Sequence, residues 1–598
     1  MTRRIGQPIL PRSGFRHLLP GLLLALTACD SGTDVGRVSF ALDVDASFFR
    51  LRIFAEAPDA SLSGKTLFDT GCINQQSRTY ELTNIPIGEG YAVVYEGYPT
   101  ASCASNDRLA VGFRGGVAIT EDDQPYYHVQ IYPTGGIATL PEDLNLSASN
   151  ARPVDSCEVD DDCGAKNLCY DEAAPAYWCV PTCVSTADCA SLHPRATCDT
   201  AAGWCMLTSP FPLNLSEARA LGQAATLDNG DVAFFGGLKR EGTASSGPTA
   251  SFIGTSFPLE RFDAQTGLFA ELTVSGLEGS PGGAFGFAAL GDDRFVAVGG
   301  LARAQMGYSA EGGVDIQATW SQDLLGQIIV WDLATGRGKL SPLGQGQARA
   351  TVVPLSVDRF LAIGGISPAG LGADVRKTTL LCEIDADLTT TCQPGPQLDT
   401  ARQAPAASCL DAACDRILVL GGNSGGKLAE VLDLALSKTT ALTTRGLPER
   451  LFNPILCGLD IVSGSVDLNK ASPTIASRLK LDEAGLEGNP LAGAPTTSYL
   501  SAVAQASPTS GSSSNCLIAG GLDTAGFNGR IVQVGSARFD VQSAPLGRAR
   551  FAGQAAVIGA GPLMGRVLFA GGLALPGAPD APTSGGLEVV RGAEVFTP

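Results

Sequence analysis

From about residue 219 to the C-terminus, apolar and polar positions follow one order that keeps returning. Small residues and a turn lead into four apolar residues, a Gly-Gly pair, a loop, and then an alternating strand closed by a second turn. The first copy reads Gly222-Gln-Ala-Ala-Thr-Leu-Asp-Asn-Gly-Asp-Val-Ala-Phe-Phe-Gly236-Gly237 and resumes as Glu260-Arg-Phe-Asp263-Ala-Gln-Thr-Gly267. Further pairs stand at Gly299-Gly300, Gly364-Gly365, Gly421-Gly422, Gly520-Gly521 and Gly571-Gly572. A worn copy, Asp460-Ile-Val-Ser463-Gly464, falls between the fourth and fifth pairs and brings the count to seven units. Their spacing of roughly 40–65 residues lies in and above the range of repeat architectures built from small sheets. Each unit offers short strand signals with turn residues and no run long enough for a sizeable amphipathic helix. Paired glycines at a strand end supply positive φ and let two backbones approach closely.

Upstream the pattern changes twice. Residues 37–135 alternate strictly, as in Val38-Ser-Phe-Ala-Leu-Asp-Val44, Phe49-Arg-Leu-Arg-Ile-Phe54 and Tyr127-His-Val-Gln-Ile-Tyr132. About seven short strands in that length predict a β-sandwich. After a linker over 136–156 come eight cysteines: Cys157, Cys163, Cys169, Cys179, Cys183, Cys189, Cys198 and Cys205. They form two similar groups, each ending in Trp-Cys, at Trp178-Cys179 and Trp204-Cys205. The segment 157–206 buries too little apolar surface to stand without bridges. Zinc modules favour C-x2-C pairs, which are absent here, so the spacing predicts disulfides.

The N-terminus places Arg3, Arg4, Arg12, Arg16 and His17 ahead of the apolar run Leu18-Leu-Pro-Gly-Leu-Leu-Leu-Ala-Leu26. Such a run is too short to span a bilayer stably and predicts a secretion signal over residues 1–28. It ends in Leu26-Thr-Ala-Cys29, which resembles the bacterial lipobox. That resemblance implies cleavage before Cys29 and acylation of Cys29, with residues 29–36 as a polar tether. Several acyl chains anchor stably because each buried CH₂ contributes about 0.8 kcal/mol. The expected location is the extracytoplasmic face of a bacterial envelope, at the outer membrane or cell surface, with the inner membrane as the alternative.

The repeated phrase resembles the Kelch motif of β-propellers, also found in the galactose oxidase propeller. The matching residues are Arg402, Ile417-Leu-Val-Leu-Gly-Gly422 and Glu430-Val-Leu-Asp433 in the fourth unit. In the first unit they are Arg219, Val232 through Gly237, and Glu260-Arg-Phe-Asp263. Two departures stand out: the aromatic that usually closes a repeat is mostly missing, and the fifth unit lacks its second glycine and its turn. The resemblance implies an all-β chain whose residues 207–598 form a propeller of six or seven blades, seven being favoured. The last unit, ending Ala593-Glu-Val-Phe-Thr-Pro598, lacks an outer strand, and residues 206–213 are expected to supply it. Upstream, Leu82-x-x-Ile85-Pro86-x-Gly88-x-x-Tyr91 resembles transthyretin-like and carboxypeptidase-regulatory sandwiches, which implies a spacer module. The cysteine pattern resembles small EGF-like or Dickkopf-like repeats.

Cysteine parity supports export. Of 17 cysteines, a lipidated Cys29 leaves 16. Outside the cysteine-rich segment the expected pairs are Cys72 with Cys103, Cys382 with Cys392, Cys409 with Cys414, and Cys457 with Cys516. A net charge of −19 argues against nucleic-acid partners.

Candidate chemistry is sparse. The histidines, His17, His128 and His193, all precede the repeats, which leaves no ligand set for a galactose oxidase-type copper and no Ser-His-Asp site there. Asp228 and Asp292-Asp293 occupy turn positions, where local hydrogen bonding favours Asp. The stretch Gly421-Gly-Asn-Ser-Gly-Gly426-Lys427-Leu428 nearly spells a phosphate-binding loop, but Leu428 replaces the required hydroxyl. No catalytic residue, metal or cofactor is assigned. Loops after the glycine pairs are long in the first two units (238–259 and 301–326) and short in the fourth (423–429). Such insertions carry recognition or are tolerated padding. The expected function is binding of a protein or glycan through these loops. The alternative is an extracytoplasmic polysaccharide hydrolase or lyase using propeller carboxylates.

Overall fold

The structure is a computed structural model. It describes residues 3–4, 35–42, 46–74, 79–119, 126–140, 143–145, 152–154, 167–173, 176–189, 197–208, 214–242, 249–256, 259–309, 313–317, 323–369, 372–422, 426–457, 460–465, 477–491, 502–505, 516–523, 526–527, 529–534, 539–542, 545–574 and 585–597. Residues 5–34, with Cys29, and the side chains of His17, His128 and His193 lie outside the described residues. Nearly all regular structure is β, and no described helix is long and apolar enough to cross a membrane. The chain divides into two compact units.

The first unit comprises Met1–Thr134, Glu142–Pro210 and Gln265–Gly267. Its main sheet runs in the order Thr79–Pro86, Val35–Leu42, Tyr126–Pro133, Ala110–Ile119, Gly88–Tyr98, Phe48–Phe54, Thr66–Asp69. In Phe48–Phe54 the alternation of the sequence becomes an alternation of burial, with Phe49, Leu51 and Ile53 fully enclosed. Phe49 packs 4.7 Å from Tyr80, although their strands lie near opposite ends of the strand order. The sheet is therefore bent until its ends face each other, and Cys72–Cys103 ties a loop to it.

In the cysteine-rich segment, Cys183 bonds Cys198 and Cys189 bonds Cys205. Cys183, Cys189 and Cys198 have sulfurs within 4.8 Å of one another, a spacing that could hold a metal, but these bonds occupy all three. Cys179 is also disulfide-bonded. Cys157, Cys163 and the side chain of Cys169 lie outside the described residues.

The second unit comprises Gly135–Pro141, Phe211–Ala264 and Leu268–Pro598. Here the seven phrases become seven antiparallel sheets, six of them with four strands hydrogen-bonded in chain order. The first is Gln223–Thr226, Val232–Phe235, Leu259–Asp263 and Leu268–Leu272. The worn fifth phrase still builds its sheet from Phe452–Cys457, Asp460–Ser465, Ser477–Asp482 and Gly485–Pro490, with Thr444–Arg445 as an added edge. The glycine pair ends the second strand of the other sheets, after the run of four buried residues.

Successive sheets pack face against face through that run. Phe235 of the first sheet meets Phe287, Phe295 and Trp331 of the second at 4.9, 4.8 and 5.2 Å. Val296, Val298 and Ile328 pack with Phe360 and Ala362, and Leu361 and Ile363 with Ile417 and Val419. Leu418 and Leu420 pack with Ile461, Leu479 and Leu486, and Cys457 is bonded to Cys516 across the next junction. Leu517 and Ala519 pack with Ala555 and Phe569. The seventh sheet then meets the first, where Thr226 Oγ1 donates to Val557 O at 2.5 Å and Gly559 N to Gly230 O at 2.9 Å.

The seventh sheet corrects one expectation. Its fourth strand is Ile137–Thr139, antiparallel to Ala593–Phe596, and not the segment 206–213. Trp204–Thr208 pairs instead with Asp143–Asn145 and Thr197–Asp199, while 209–213 lie outside the described residues. Buried Asn214 holds the seam: its Nδ2 donates to Leu140 O at 2.9 Å and its Oδ1 accepts from Ala593 N at 2.6 Å.

Candidate functional site

The glycine pairs serve one recurring contact. In six sheets the second glycine's N–H donates to a carbonyl just before the next sheet: Gly237 to Gly282, Gly300 to Gln347, Gly365 to Arg402, Gly422 to Leu451, Gly521 to Arg550 and Gly572 to Arg219. These bonds measure 2.6–2.8 Å, and the last returns from the seventh sheet to the first. The first glycine of each pair lies against the same carbonyl. At Gly299 (φ 68°) an added Cβ would collide with Gln347 O, so position and backbone angle both demand glycine.

Two residues beyond each accepting carbonyl stands a residue with positive φ that is not glycine. They are Leu221 (57°), Ala284 (53°), Arg349 (56°), Ala404 (43°), Asn453 (45°) and Ala552 (53°). The backbones of five of them join hand to hand. Leu221 N donates to Ala552 O at 2.9 Å, Ala284 N to Leu221 O at 2.8 Å, Arg349 N to Ala284 O at 2.9 Å, and Ala404 N to Arg349 O at 2.7 Å. These bonds hold the strained angles in place.

The six positive-φ residues surround a cavity of about 320 Å³, together with Phe285 and with Gln223, Phe287 and Thr351 from the first strands. No Asp or Glu lines it among the described residues. Arg349 is its cation, and its Nη2 donates to Asn453 Oδ1.

The described parts of the long insertions form a sheet of their own. Leu238–Arg240 and Thr249–Gly254 from the first repeat join Arg303–Ser309 and Gly313–Gln317 from the second repeat, and Gly585–Gly586 from the last, in one five-stranded sheet. One face buries Ala250, Phe252, Ala304 and Met306 in a core with Ala220, Ala348, Phe551 and Ala552. Leu221 and Ala284 pack against that core and also line the cavity. The other face carries Ser251, Ile253, Arg303 and Gln305, with Arg303 exposed and paired to Glu241 at 3.0 Å.

Asp292 and Asp293 both have φ of 52° and form the hairpin turn before Arg294–Val298, and Asp293 Oδ1 accepts from Asp228 N at 2.7 Å. Partial burial, with the like charges of Asp228, Asp231 and Asp292, holds the Asp293 carboxyl above its ordinary range. Leu428, at the end of the near phosphate loop, is buried. Cys382–Cys392, Cys409–Cys414 and Cys457–Cys516 are disulfides, the pairs expected from the sequence.

No protein-family model matches the chain, and no curated protein sequence matches it.

Proposed function

We propose that the chain is an exported, lipid-anchored binding protein of the bacterial cell envelope, in which the seven sheets are the blades of a Kelch-type β-propeller. Lipid on Cys29 tethers it, the N-terminal sheet acts as a β-sandwich spacer, and a protein or glycan is recognised through the face built from the insertions. Disulfides in both units suit an oxidising, extracytoplasmic compartment. The observation that carries recognition is the inserted sheet itself. Segments from three repeats, the first, second and last, converge on one sheet whose inner face is packed and whose outer face presents Arg303 and Gln305. Polar positions on a rigid support are what selective binding needs.

Deleting the insertions would strip buried Phe252 and Met306 from the core, so the test uses surface changes. The tagged full-length chain is crosslinked in its native envelope beside the variant Arg303→Glu/Gln305→Glu. A discrete partner captured by the parent and lost by the folded variant supports the reading. Capture of the same set by both overturns recognition through this face.

A further inference from the structure

We propose that the cavity within the ring of positive-φ residues is a binding site for the carboxylate of a small organic acid, with Arg349 as its anchor. The inference rests on the cavity alone and stands apart from any partner on the inserted sheet.

Arg349 differs from the ion-paired arginines of the seven sheets. Arg219, Arg402 and Arg550 each meet a buried glutamate, and Arg261, Arg294 and Arg478 each meet an aspartate. Among the described residues Arg349 has no carboxylate partner, and its side-chain bond goes to the neutral Asn453 amide. A guanidinium has five N–H donors and the bond to Asn453 uses Nη2 alone, so most of its capacity is unspent at the cavity wall. Asn453 adds a further donor: its Nδ2 is buried and has no hydrogen-bond partner. A planar acid presented between Arg349 and Asn453 would satisfy both groups with charge-assisted bonds.

The rest of the wall selects the body of the ligand. Phe285, Phe287 and Val352 supply apolar surface, and Gln223 and Thr351 supply polar edges. A volume of about 320 Å³ suits a single ring-sized molecule. Carboxylate is favoured over phosphate because one guanidinium matches one negative charge, and a chain of net charge −19 disfavours a more highly charged anion. The positive φ of Arg349, held by bonds from its own N–H to Ala284 O and from Ala404 N–H to its carbonyl, keeps the side chain on a fixed base.

The test is calorimetric titration of the full-length chain in detergent with glucuronate and benzoate, and with glucuronamide and benzamide as neutral counterparts. At least one acid should bind saturably, with its amide about tenfold weaker or worse. Arg349→Gln should lose that binding while its thermal unfolding stays unchanged. Asn453→Asp, which supplies a carboxylate from the protein itself, should lose it too. No acid binding at concentrations up to about 10 mM, equal binding of acids and amides, or binding that survives Arg349→Gln would each overturn the proposal.

Discussion

Arg402 and Glu430 are both fully buried, and two guanidinium nitrogens reach the same carboxylate oxygen, Nε at 3.0 Å and Nη2 at 2.6 Å. Their remaining capacity is also used. Arg402 donates to the carbonyls of Gly421, Lys427 and Leu428, while Glu430 accepts from the N–H groups of Asp399 and Thr400. The same spoke recurs as Arg550 with Glu594 at 2.7 Å and as Arg219 with Glu260. Burial pulls the Arg402 guanidinium below its ordinary pKa, and Glu430 opposes that shift.

Breaking one spoke from one side leaves a buried charge alone. Arg402→Met is expected to cost about 3–5 kcal/mol in equilibrium unfolding. The double variant Arg402→Met/Glu430→Leu should recover a large part of that loss. A single variant as stable as the parent would mean that the spoke contributes nothing.

The glycine pairs give a paired comparison. Gly336 has φ 66° with open space around it, so Gly336→Ala should cost about 1 kcal/mol from the backbone angle alone. Gly299 has nearly the same angle but sits against Gln347 O, so Gly299→Ala should cost clearly more. Denaturant midpoints of the two variants measure the difference.

Asn214→Ala removes both bonds at the seam of the seventh sheet. A loss of about 1–3 kcal/mol is expected, because Leu140 O and Ala593 N are left without partners. Hydrogen exchange should quicken in residues 137–139 and 593–596 and leave the fourth sheet unchanged.

Asp293→Asn keeps the acceptor for Asp228 N and removes a charge among Asp228, Asp231 and Asp292. A carboxyl whose folded pKa is raised penalises the native state above that pKa, and the penalty fades as pH falls and the group protonates. The variant should therefore melt above the parent at pH 7, with the gap closing as pH drops through the usual carboxylate range near about 4. A gap that is constant with pH would rule out charge as the cause.

The disulfides differ in the loop each closes. Cys457–Cys516 spans 59 residues and Cys409–Cys414 spans 5. Loop-closure entropy ranks the first higher, at about 4 kcal/mol against about 2. Replacing each pair by alanines and comparing unfolding free energies checks that order.

The seven strand-turn-strand phrases were legible because each is local: an apolar run and a glycine pair fall within a few residues. Arg219, Arg402, Glu260 and Glu430 could be read from the same motif. The cavity was not, because its wall comes from one position per unit occupied by Leu, Ala, Arg or Asn, and positive φ leaves no residue signature there. The inserted sheet escaped for another reason. Its strands come from three units, and none carries a long alternation of its own. The outer strand of the seventh sheet was misplaced because Ile137–Thr139 is three residues long and sits among the glycines and prolines of an expected linker.

The seam between Ile137–Thr139 and Ala593–Phe596 also sets a schedule. A chain that emerges N-terminus first exposes the earlier strand long before its partner exists. Six sheets can form and stack in the meantime, each from nearby residues, but the seventh stays incomplete until Ala593–Phe596 arrives. Throughout that interval the short edge is free to pair with a neighbouring molecule. Pairing of these two strands is thus the least local step of the fold, and loop-closure entropy makes it the slowest kind to form.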